Sequence, residues 1–89
     1  MTPDWWSILG HPVSERGVSL TIDLLASEGF HRGTATMAVG MVAHAIAKDK
    51  PDVAISTMRW YLTKSDDPAS HVSGMETLLF RALATLGAN

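Results

Sequence analysis

The side chains best suited to chemistry are four histidines, His11, His31, His44 and His71, and none has a second histidine at three- or four-residue spacing. That spacing is what sets two imidazoles on one helix face for a metal. The nearest approach to a metal motif is Glu28-Gly29-Phe30-His31, which has the Glu-x-x-His spacing of di-iron bundles. Such bundles need two of these motifs and two further glutamates on facing helices. Here there is one, with Gly29 interrupting the helix inside it. No metal and no cofactor is expected. The chain has no cysteine, which excludes disulfides, thiolate ligands and thiol catalysis. It also lacks a Gly-x-Ser-x-Gly elbow and any readable pair of close, buried acids, so no catalytic activity is expected.

Two weaker constellations carry a possible binding role. Gly29-Phe30-His31-Arg32-Gly33-Thr34 is a Gly-flanked turn that leads into a helix. Free backbone N–H groups, the helix dipole, Arg32 and Thr34 could hold an anion there, with His44 further along the same helix completing the set. The turn lacks the lysine and spacing of a P-loop, and an ordinary joint with Gly29 in a left-handed conformation explains it equally well. The same helix–turn–helix outline superficially resembles a DNA-reading unit. A reading helix, however, needs Arg, Asn, Gln, Ser or Lys near its start, where this one offers Ala, Met and Val. With a net charge of −2 the chain also has no broad basic face for phosphates, so nucleic acid is not the expected partner.

These residues are carried by elements that read as helical. Residues 34–48, TATMAVGMVAHAIAK, are apolar on almost every side, apart from a stripe of Thr36, Gly40, His44 and Lys48. A helix of this kind is stable when other helices surround it, and it is too short for a bilayer, which takes about 20 apolar residues. It is expected to be the buried central helix, with Thr34 as its cap and Gly40 allowing a neighbouring backbone to approach. Thr2-Pro3-Asp4 starts a short N-terminal helix through Trp5, Trp6, Ile8 and Leu9. Between Val13 and Glu28, alternating Val18, Leu20, Ile22 and Leu24 suggest a strand, but Val18, Ile22 and Leu25 also share a helical face. No second strand is visible to pair with it, which favours helix; the alternative is a strand that pairs with its copy in a dimer. Gly29 stops this helix, and Phe30 folds back beyond the cap.

Asp49 caps a further helix with Pro51 and Asp52 in its first turn, and Ala54, Ile55, Met58, Tyr61 and Leu62 face inward. The last helix starts either at Pro68 or afresh near Ser73, with a bend at Gly74. Val72, Met75, Leu79, Ala82 and Leu86 form its seam. The expected fold is therefore all-α: a single helical domain over residues 1–89, with four main helices, a short N-terminal one and short joints.

Trp5 or Trp6, Trp60 and Phe80 fall off the inward stripes. Charged residues are only 18% of the chain, below the usual quarter. Aromatics and Met are enriched at interface cores. The expectation is a small protein–protein interaction or regulatory module, partnered by another chain and first of all by itself as a homodimer. No basic leader and no membrane-length apolar run is present, so a cytoplasmic protein without a signal peptide or membrane attachment is expected.

Overall fold

The computed structural model describes residues 15–64, 66–71 and 74–86. Four α-helices run in order: α1 (Glu15–Ser27), α2 (Arg32–Ala47), α3 (Pro51–Lys64) and α4 (Met75–Leu86). A short 3-10 turn at Pro68–His71 precedes α4. No strand occurs among the described residues, so 15–27 is helix and the alternation of Val18, Leu20, Ile22 and Leu24 does not make a strand. The N-terminal helix expected around Trp5 and Trp6 lies outside the described residues.

The helices form a ring. α1 packs on α2 and α4, and α3 packs on α2 and α4. Each helix turns apolar residues at helical spacing into the shared core: Leu25, with the half-buried Val18 and Ile22, from α1, Val39 and Val42 from α2, Ala54, Met58 and Leu62 from α3, and Leu79, Ala82, Leu83 and Leu86 from α4. Thr21 is also fully buried and satisfies its hydroxyl by donating to the Gly17 carbonyl at 2.7 Å, one turn back along its own helix.

The joints follow from local backbone chemistry. At the end of α1 the amide of Phe30 donates to the Leu25 carbonyl and that of Gly29 to the Ala26 carbonyl, both at 3.1 Å. Gly29 has φ +106°, and Phe30 is buried beneath the cap, which is the Schellman arrangement. α2 ends identically: Lys50 donates to Ala45 and Asp49 to Ile46. Here the left-handed position is filled by Asp49, at φ +58°. Asp49 thus closes α2 rather than capping α3. Of the two starts expected for the last helix, the later one stands: α4 begins at Met75, after Gly74 at φ +89°, whose carbonyl accepts the first bond of α4 from Leu78.

The expectation of a buried central helix 34–48 is corrected. α2 starts at Arg32, two residues before Thr34, and occupies one corner of the ring rather than its middle. Ala35, Ala38, Val39, Val42 and Ala45 are buried, but Met37 is 60% and Met41 51% exposed. The physical reason is the ring itself: with only α1 and α3 as principal neighbours, half of the cylinder faces outward. Gly40 also faces outward, and a Cβ built on it meets nothing within 4 Å among the described residues, so none of them requires a glycine there.

Candidate functional site: the outer seam of α2 and α3

α2 and α3 are adjacent helices of a hairpin, and their outer seam holds two hollows. The first is lined by His31, Thr34, Trp60, Tyr61, Asp66 and Asp67. The second, of about 530 Å³, is lined on α2 and the turn by residues that include Met41, His44, Lys48 and Lys50, and on α3 by Val53 and Thr57. Between them the Tyr61 hydroxyl donates to the Met41 sulfur at 3.2 Å. Thr34, Met41 and Lys48 are seven residues apart, so they fall close to one line along the helix. That line is the seam, and Met41 is its midpoint.

Chain order explains the chemistry of the two ends. The α2–α3 turn brings His44, Lys48 and Lys50 to one hollow. The end of α3 and the 3-10 turn bring Asp66 and Asp67 to the other. Asp67 is buried, and its Oδ2 accepts the His31 amide at 2.8 Å. His31 is the N-cap of α2 and makes no side-chain cap bond. The carboxylate oxygen therefore stands at the positive end of α2, where it is favoured. Thr34, expected to be that cap, lies inside the first turn instead.

The middle of the seam is apolar. Six large apolar side chains are exposed among the described residues: Leu20, Met37, Met41, Val53, Trp60 and Phe80. Four of them, Met37, Met41, Val53 and Trp60, belong to α2 and α3. Trp60 is 56% exposed, and its ring meets Tyr61 edge-on with centroids 5.0 Å apart. The other helix adjacencies are finished differently. Arg32–Asp23 ties α1 to α2 at 2.7 Å, Arg81–Glu28 ties α4 to the end of α1 at 3.1 Å, and Arg59–Glu76 ties α3 to α4 at 3.4 Å. No ion pair bridges α2 and α3 among the described residues.

The residues singled out from the sequence divide accordingly. Trp60 stands on the seam. Phe80, on α4, is 41% exposed and lines neither hollow. Trp5 and Trp6 lie outside the described residues. Arg32, Thr34 and His44 are not brought together. Arg32 is held by Asp23 on the α1 side, while Thr34 and His44 line different hollows about 15 Å apart along the helix. The hollow beside Thr34 carries two aspartates, the wrong sign for an anion. Lys48, Lys50 and Met41 are the seam residues that sequence reasoning passed over. Their signal was present, since exposed Met on an otherwise sound helix is informative once the helix has an outer face.

Among the described residues no group of three His, Asp or Glu is placed to hold a metal ion, and no helix is long and apolar enough to cross a membrane. Comparison with protein-family models, with curated proteins and with solved structures finds no match for this chain.

Proposed function

We propose that this protein works by protein–protein contact, as a regulatory module, adaptor, inhibitor or subunit with no reaction of its own, and that its first partner is its own copy. The observation that supports this is the seam. Four exposed large apolar side chains, with Tyr61 beside them, lie on one helix pair. Aromatics and Met are the residues enriched where interfaces are dry, and Trp60, Tyr61 and Met41 touch in series along this pair, so that they expose apolar surface together.

The test is self-association measured by light scattering over a concentration series. Trp60→Ala is expected to weaken association while leaving the unfolding midpoint of the dilute protein nearly unchanged, because an exposed ring contributes little to the fold. A chain that stays monomeric at high concentration, or a Trp60→Ala variant that loses its fold and keeps its association, would overturn this reading.

A further inference from the structure

We infer that two copies of this chain pair through the α2–α3 seam in antiparallel register, about a two-fold axis near Met41, so that the Lys48–Lys50 end of each copy's seam faces the Asp66 end of the other's. This rests on the contact role proposed above and specifies its geometry.

Three observations point to this occupant and register. The first is charge. The seam is cationic at one end, through Lys48 and Lys50, and acidic at the other, through the exposed Asp66. Asp49, Asp52 and Lys64, the nearby charges of opposite sense, line neither hollow. A closed two-fold interface places one patch on itself, so residue i of one copy meets j of the other and j meets i. Antiparallel pairing sets Lys48 and Lys50 against Asp66 twice, whereas parallel pairing sets like charge on like at both ends.

The second observation is spacing. Thr34 and Lys48 are each seven residues, about 10 Å, from Met41, so rotation about that point exchanges the two ends in register. The third is Gly40. A glycine in an exposed helix interior costs roughly 1 kcal/mol against alanine, and nothing among the described residues lies within 4 Å of a Cβ placed there. Beside the axis, the missing side chain lets the facing helix come close.

The chain has no cysteine, so single substitutions report the geometry cleanly. Under mild oxidation Met41→Cys is expected to cross-link two copies. Lys48→Cys is not, because its two copies would stand about 21 Å apart along the seam, beyond disulfide reach. Lys48→Glu with Lys50→Glu in one chain, or Asp66→Lys in another, is expected to weaken the homodimer on the order of tenfold, and the loss should shrink in high salt. Mixing the two variants restores both charged ends, so the heterodimer is expected to regain wild-type affinity. Gly40→Ala should raise the thermal midpoint of the monomer while weakening the dimer.

A dimer that needs Trp60 but ignores the charge reversals, or a Met41→Cys chain that does not cross-link, overturns the register and leaves the contact reading standing. A strictly monomeric chain at all concentrations and salt levels overturns both. So does saturable binding of a medium-chain carboxylate to a monomer at Lys48 and Lys50, which would assign the second hollow to a small amphipathic ligand.

Discussion

Gly29 and Asp49 occupy the same left-handed position in the same helix-ending motif, with φ of +106° and +58°. For glycine the conformation carries no steric penalty, whereas for an L-residue it costs about 1–2 kcal/mol. Asp49 also sets a carboxylate at the negative end of α2, where the dipole disfavours it. Asp49→Gly is therefore expected to stabilise the fold by about 0.5–1 kcal/mol after the entropy of glycine is subtracted. For a chain of this size that raises the thermal midpoint by a few degrees in dilute melts; an unchanged or lower midpoint would show that the Asp49 side chain contributes something the backbone geometry does not reveal. Gly29→Ala should do the reverse and lose at least about 1 kcal/mol, since its new Cβ would also meet that of Ala69 at 3.3 Å. The sequence announced Gly29 plainly, because a glycine followed by an apolar residue has few other uses. Asp49 was ambiguous: aspartate suits both the left-handed end of one helix and the cap of the next, and the residues on either side fit both.

At the level of the element, helix boundaries and inward faces were legible wherever a local pattern decides them. The stripe of Ala54, Met58 and Leu62 and the seam of Met75, Leu79, Ala82 and Leu86 stand as periodicity implies. The start of α2 was not legible, because its N-cap amide is satisfied by Asp67, 36 residues away. Local reasoning settled on the nearest hydroxyl, Thr34. Asp67→Ala is expected to cost about 0.5–2 kcal/mol, as loss of a helix cap does, by taking the carboxylate acceptor away from the part-buried His31 amide. Asp67→Asn, which keeps an acceptor, should cost less. Hydrogen exchange at the first turn of α2 is the specific readout: accelerated exchange there, ahead of α4, distinguishes an uncapped helix from general loosening. The anion constellation failed for a related reason. Thr34 and His44 share a helix but sit almost three turns apart, and Arg32, first in the turn, is already engaged by Asp23.

For the whole molecule, the decisive feature is that four helices in a ring leave each helix an outer half. A helix apolar all round signals either enclosure or a partner, and composition cannot separate the two. In α2 the answer is divided, with Ala35, Ala38, Val39, Val42 and Ala45 inward and Met37 and Met41 outward. Three adjacencies in the ring are closed on the outside by ion pairs that each contribute at most about 1 kcal/mol, and the fourth presents Met, Trp and Tyr instead. If that seam is covered by a second copy, folding and association are linked: binding that favours the native state makes the melting midpoint rise with protein concentration. Wild-type chain is expected to show that rise, and Trp60→Ala to flatten it toward the dilute value. Leu83→Ala, made in the fully buried core, should lower stability by about 2–5 kcal/mol at every concentration while preserving the slope. A midpoint independent of concentration in wild-type protein, with the same drop for both variants, would mean that Trp60 serves the fold of one chain and that the seam has no second chain upon it.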